Sequence, residues 1–287
     1  MNKNQREIRI GRIDFTNVWP LFYYFPVTSF GSELKILQQV PTGLNKALAQ
    51  GEIDVSAISS FAYGEHFDDY MLLPDMSVSA FGEVKSILLF HRVPLEQLSD
   101  ATIALPTTSA TSINLLKIIL TKFYGIQPSY VDSPPHLETM MKSADAGLLI
   151  GDHAIRASWE EQGYLVTDLA TEWTKWTGLG MSFAVCAIRK QTVRELPDLV
   201  KRVFDGFMES KRKSLADLTS LVQDAQKLLG GTPTYWEGYF KNLCYDFGPS
   251  QQDGLKLYYQ YAKELGFLKR DVPLQIWNDK ITVQVTE

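Results

Sequence analysis

Between positions 8 and 189, short apolar runs alternate with amphipathic stretches, and the alternation predicts strands and helices taken in turn. Strands are predicted at 8–13, 34–40, 55–59, 86–90, 101–105, 147–150 and 182–189. A helix is predicted to open at 20–25, and others to occupy 42–50, 112–124 and 153–162. Gly51 follows the second of these, at the place where a left-handed residue commonly ends a helix. After Arg189 the period becomes purely helical. Val193, Leu196, Val200, Val203 and Phe207 form one stripe. Leu218, Leu221, Val222, Ala225 and Leu229 form a second, and Leu255, Tyr258, Tyr259 and Ala262 a third. Such stripes are core faces.

Strand and helix in alternation point to an α/β protein with mostly parallel sheets. Two such runs, 8–90 and 101–188, followed by C-terminal helices, predict two lobes. The first comprises 1–92 and 183–287 and the second 93–182, with crossings near Arg92-Val93-Pro94 and Phe183. A cleft between the lobes would collect the loops at strand carboxyl ends, the usual ligand position in open α/β sheets.

Composition narrows the function classes. The 287 residues are 45% hydrophobic and 21% charged, ordinary for a globular protein of one large or two moderate domains. A net charge of −5, with no basic run, gives no support for a nucleic-acid partner. No stretch approaches the roughly 20 apolar residues of a membrane span, and the polar N-terminus lacks a secretory pattern. A cytoplasmic location without a membrane partner is expected. Cys186 and Cys244 are too few and too isolated for a disulfide framework. His66, His91, His136 and His153 fall at no metal-ligand spacing. Phosphate-binding glycine loops and the nucleophile elbow are absent as well. No metal, no cofactor and no obligate protein partner are expected.

The strongest local signal follows the strand at 101–105. Thr107, Thr108, Ser109, Thr111 and Ser112 fill five of the six positions from 107 to 112, where the next helix begins. The first N–H groups of a helix lack internal partners and carry partial positive charge. Hydroxyls at the same point add donors, which suits a carboxylate. A single N-cap needs only one such residue.

Other polar residues also follow strands. Asn17 offers a donor and an acceptor in one amide, and equally suits a turn before Pro20. Ser59 ends the strand at 55–59 and Ser60 follows it, where solvated loop serines are also common. Ser86 opens an apolar run, so its hydroxyl needs a backbone or ligand partner. Gly151-Asp152 precedes a helix, as an N-cap or a ligand contact.

Taken in order, these segments resemble the chorismate dehydratases of the futalosine route to menaquinone. The matching residues are Gly11-Arg-Ile-Asp-Phe-Thr-Asn17 with Pro20-Leu21, Pro41-Thr-Gly-Leu44, Gly51-Glu-Ile-Asp-Val55 and Ser59-Ser60 with Tyr63. Leu73-Pro74-Asp75, Gly82-Glu-Val-Lys-Ser86, Thr108-Ser109-Ala-Thr111-Ser112 and Leu148-Leu-Ile-Gly-Asp152 continue the series. Glu172-Trp173 and Thr177-Gly178-Leu179 complete it. The family commonly reads Gly-Leu-Pro-Phe next, whereas this chain has the longer Gly178-Leu179-Gly180-Met181-Ser182-Phe183. A sister family, which makes a dihydroxynaphthoate later in the route, usually carries Ser-Pro-Cys-Pro-Asn-Asp in its first loop. Positions 14–20 do not match that motif. A non-catalytic carboxylate-binding protein would share the same fold.

The resemblance implies a two-lobed type II periplasmic-binding-protein-like fold with an interlobe cleft. It implies conversion of chorismate to 3-[(1-carboxyvinyl)oxy]benzoate and water, with Asn17 and Ser86 as catalytic residues. Substrate binding would fall to Ser59, Ser60, Thr107, Thr108, Ser109, Thr111, Ser112, Gly151 and Asp152. No protein base stands out, which leaves the substrate's own enolpyruvyl carboxylate as a candidate proton acceptor.

Overall fold

The structure is a computed structural model that describes residues 7–13, 15–160 and 163–279. Among these residues the strands are β1 (Ile8–Ile13), β2 (Leu34–Gln39), β3 (Val55–Ser59), β4 (Tyr70–Ala80), β5 (Ile87–His91) and β6 (Thr102–Pro106). They continue with β7 (Ser129–Ser133), β8 (Ala146–Ile150), β9 (Leu165–Asp168), β10 (Met181–Arg189) and β11 (Leu243–Cys244). One sheet has the order β11-β4-β10-β3-β1-β2 and the other β7-β6-β8-β5-β9.

The sheets are mixed, which corrects the expectation of mostly parallel pairing. β1 runs parallel to β2 and β3, and β6 parallel to β7 and β8, as βαβ units require. β10 is antiparallel to β3 and β4, and β5 is antiparallel to β8 and β9. β5 follows β4 of the other sheet directly, and β10 enters from the other sheet after the helix Leu169–Thr177, so neither continues a βαβ unit of its own sheet. They therefore enter at the end where the parallel strands finish, and run the opposite way.

Pairing also relocates the crossing. Because Ile87–His91 pairs with β8 and β9, the chain changes sheet between Ala80 and Ile87, not at Arg92-Val93-Pro94. Gly82 (φ 80°) and Lys85 (φ 60°) make that tight turn possible, and the Asp168 carboxylate accepts from the Val84 and Lys85 amides. The return falls between the helix Leu169–Thr177 and Met181, slightly before Phe183.

The predicted strands are present within a residue or two at their ends. Helices run Pro41–Gln50 and Gly151–Ser158; Gly51 has φ 73° and closes the first, and positions 161–162 lie outside the described residues. The helix expected at 112–124 begins earlier, at Ala110, and its last turn, Ile119–Phe123, is π-helical. After β10 come Pro197–Ala216, Thr219–Leu229, Pro233–Asn242 and Pro249–Glu264, whose apolar stripes enter the main core.

The sequence pattern misses β4, β7, β9 and the two-residue β11. β4 contains Pro74 and Asp75, the latter at φ 57°, so it reads as a turn. The sheet absorbs it as an irregularity, with a register shift opposite Val185/Ala187. Lys211, buried, pins the kink through the Asp75 carbonyl (2.6 Å) and the Asp246 carboxylate (2.8 Å). β7 and β9 are sheet edges, where partly exposed residues blur the alternation.

Candidate active site

The carboxyl ends of β1, β3, β6 and β8 and the amino ends of β5 and β10 meet around one narrow cavity of about 60 Å³. Its polar wall is Asn17, Ser59, Ser86, Thr108, Ser109 and Ser112, with Gly151 beside them. Its apolar wall includes Phe15, Ile87, Ile150 and Phe183. None of the described residues lining it is a His, Asp, Glu or Lys. Asp14 lies outside the described residues. Hollows of about 600 Å³ beside Thr219–Leu229 and about 810 Å³ near His136 and His153 share no lining residue with this cavity.

Each polar group is placed by a local rule. Asn17 sits in the 3₁₀ turn Thr16–Val18 that β1 runs into, ahead of Pro20. Its Oδ1 is buried and has no hydrogen-bond partner. Buried acceptors are normally satisfied, so this one is open to a ligand donor. Ser86 is 2% exposed; its hydroxyl donates to the Val84 carbonyl at a long 3.3 Å and accepts from Tyr239 at 3.2 Å. Ser59 caps the helix Ser60–His66, accepting from the Ala62 amide at 3.1 Å, and still borders the cavity.

The hydroxyl turn behaves unevenly. Ser109 is the N-cap of Ala110–Ile118 by position, yet makes no side-chain cap bond; its hydroxyl donates to Ser112 at 2.9 Å. Thr108, Ser109 and Ser112 all line the cavity. Thr107 is exposed, and neither it nor Thr111 is on the cavity wall. Thr111 is buried, and its Oγ1 accepts from the Phe61 amide at 3.0 Å, tying this helix to Ser60–His66. Thr111→Val is expected to strand that amide and cost about 1–3 kcal/mol, read as a lower melting point. An unchanged melting point would show the bond contributes nothing.

Ser60 and Asp152 are likewise absent from the wall. Ser60 donates to the Ser182 carbonyl at 2.7 Å. Asp152 accepts from the Thr16 hydroxyl (2.7 Å) and amide (3.3 Å), joining the loop after β1 to the helix after β8. Gly151, at φ 55°, donates its amide to the Ser86 carbonyl at 2.7 Å. The positive φ favours glycine, and a Cβ there would press on the Phe15 ring at 3.1 Å. His153 packs edge-on to Phe15; burial, His136 and Arg156 pull its pKa down, which keeps it neutral.

The longer segment 178–183 has its own anchor. Gly180 accepts from the Trp173 indole at 3.1 Å, and a Cβ on Gly254 would fall 2.0 Å from the Gly180 carbonyl oxygen. This close approach seats the turn on Pro249–Glu264 and delivers Phe183 and Ala184 to the cavity. Phe15, Phe183 and Tyr239 carry no mark in the sequence that separates them from ordinary core or turn aromatics.

Two sheets with a cleft at their facing strand ends define a periplasmic-binding-protein-like fold. Solved structures agree. A protein of Archaeoglobus fulgidus superposes with a TM-score of 0.75 at 19% identity, over 93% of this chain and 100% of its own. The periplasmic aliphatic sulphonate binding protein of Escherichia coli gives 0.69 at 14% identity, over 98% and 96%. The chain belongs to the menaquinone-biosynthesis family, whose model matches residues 8–264. It is 35% identical to the chorismate dehydratase of Thermus thermophilus over 272 residues, 90% of this chain and 94% of that protein. No helix among the described residues is long and apolar enough to cross a membrane.

Proposed function

We propose that the protein is a chorismate dehydratase, a cytoplasmic hydro-lyase that forms 3-[(1-carboxyvinyl)oxy]benzoate without a metal or organic cofactor. The observation that carries this reading is the gathering of Asn17, Ser59, Ser86, Thr108, Ser109 and Ser112 on one wall, opposite aromatic rings. The family and the 35% identical relative support it.

Chorismate brings two carboxylates, a ring hydroxyl and an acidic ring C–H. The C–H is vinylogous to the ring carboxylate, which accepts the electron pair as the proton leaves. Expulsion of the neighbouring hydroxyl then makes the ring aromatic. Thr108, Ser109 and Ser112, at the start of Ala110–Ile118, hold one carboxylate by hydroxyls and helix N–H groups. Asn17 and Ser86 face the reacting ring and its departing hydroxyl. The substrate's enolpyruvyl carboxylate takes the ring proton, and the same proton, returned through Ser86, leaves with the hydroxyl as water. The rate comes from positioning and from dipoles fixed where charge develops.

The cavity is far below the roughly 300–1,000 Å³ of typical small-ligand sites, so admission of substrate parts the two lobes. One lobe carries β1–β4, β10, β11 and the C-terminal helices, and the other β5–β9. The Thr16–Asp152 bond and the Phe15–Gly151 contact would separate in that motion.

Purified protein mixed with chorismate alone is expected to produce an aromatic ultraviolet spectrum, unaffected by a metal chelator. Chorismate bound but recovered unchanged would favour a carboxylate-binding protein instead. Activity lost to chelator and restored by metal would overturn the cofactor-free mechanism.

A further inference from the structure

Ser86 meets a partner from a distant part of the chain. Tyr239, in the helix Pro233–Asn242, brings its hydroxyl to 3.2 Å from Ser86 Oγ, and both side chains are buried. The Tyr239 ring is fixed on several sides. It packs edge-on to Trp236 at 5.6 Å, tilted against Phe240 at 5.5 Å, and parallel to Tyr235 at 6.3 Å. A fully enclosed ring of this kind holds its oxygen in one place.

Burial pushes the Tyr239 phenol well above its ordinary pKa, so it stays protonated and serves as a donor. Thr16, near the same hydroxyl, commits its own proton to Asp152 at 2.7 Å. The competing acceptor for the Ser86 proton, the Val84 carbonyl, is at 3.3 Å, the weak end of an O–H···O bond.

We propose that Tyr239 is a positioning residue for Ser86: its hydroxyl donates to Ser86 Oγ, locks the side chain, and leaves the Ser86 proton available to the substrate's departing hydroxyl. This inference rests on the dehydratase reading, within which Ser86 is a catalytic residue. It gives the C-terminal helices a part in the reaction beyond covering the core.

Tyr239→Phe removes one oxygen and keeps the ring. It is expected to lower kcat by about three- to tenfold, the worth of one neutral hydrogen bond, with KM changed less than about twofold. In a Ser86→Ala background the same change is expected to have no further effect on kcat, because the group it positions is gone. Tyr235→Phe, on the stacked neighbour in the same helix, is expected to keep parental turnover. Unchanged kcat in Tyr239→Phe, an undiminished effect in the Ser86→Ala background, or an equal loss in Tyr235→Phe would each overturn the proposal. Should Tyr239→Phe melt below the assay temperature, stability provides the test. Recovery in the Ser86→Ala/Tyr239→Phe double variant supports the bond, and a double variant as unstable as the single one overturns it. A parent protein that produces no aromatic product fails the dehydratase reading itself, and is told apart by that result alone.

Discussion

Asn17→Ala and Ser86→Ala are each expected to lower kcat and kcat/KM together by about 10²–10³-fold, while the variants melt within a few degrees of the parent. The reason is differential binding. A donor or acceptor aimed where charge develops stabilises the transition state more than bound chorismate, so turnover falls and KM changes little. The Asn17 Oδ1 has no protein partner to lose, and removing it leaves no orphan behind. Ser86→Ala deprives Tyr239 of its acceptor and carries a small stability cost as well. Steady-state kinetics beside thermal melts separate the outcomes. Turnover within a few-fold of the parent would remove either residue from the reaction, and a large drop in melting point with normal turnover would make it structural.

Asp54→Ala is expected to cost about 3 kcal/mol at neutral pH, the low end for breaking a buried ion pair. Asp54 has no exposed side-chain surface, whereas Arg9 remains 27% exposed and can regain water, which keeps the loss at that end. The carboxylate accepts from the Arg9 backbone amide (2.9 Å), from Arg9 Nε (2.9 Å) and from the Thr192 hydroxyl (3.0 Å). It thereby ties β1 to the start of β3 and to the helix Lys190–Glu195. Burial by itself raises the Asp54 pKa, but the Arg9 bonds and charge outweigh it and bring the carboxyl below its usual range. A depressed folded pKa stabilises above the unfolded value, near 3.9, and that contribution disappears as pH falls through the folded value. The gap in melting temperature between parent and variant should therefore be wide at pH 7, begin to narrow below about pH 4, and close as pH falls through the folded value. A gap that persists undiminished in acid would assign the loss to packing, not charge. Because the pair lies at the far end of β1 and β3 from the cavity, the folded variant is expected to keep parental turnover.

The hydroxyl turn shows where the sequence was legible and where it was not. Five hydroxyls at the start of Ala110–Ile118 are visible in the sequence, and three of them line the cavity. Which three depends on helical geometry and on the neighbouring helix. Thr111 turns to the Phe61 amide and Thr107 faces solvent, and neither orientation is written in the local pattern. Asp152 is similar: the sequence marks it as polar after a strand, but its partner, Thr16, lies 136 positions away.

The sequence by itself determined seven of the eleven strands among the described residues, the long C-terminal apolar stripes and the chemistry of the polar turns. Apolar period sets strand or helix, Gly51 ends its helix, Asn17 and the 107–112 turn stand out as polar groups after strands, and Ser86 as a hydroxyl opening an apolar run. The family resemblance, carried by ordered short motifs, was equally legible. Tertiary structure alone decided the pairing, because hydrogen bonds between strands join residues with no fixed separation in the chain. It put Ile87–His91 in the second sheet, reversed β5 and β10, and absorbed Pro74-Asp75 into an irregular strand. It also decided that Tyr239, one aromatic residue in an ordinary helical stripe, meets Ser86. Sequence period reports only whether a side chain faces inward; which buried group it touches is fixed when distant elements pack at a set distance and angle.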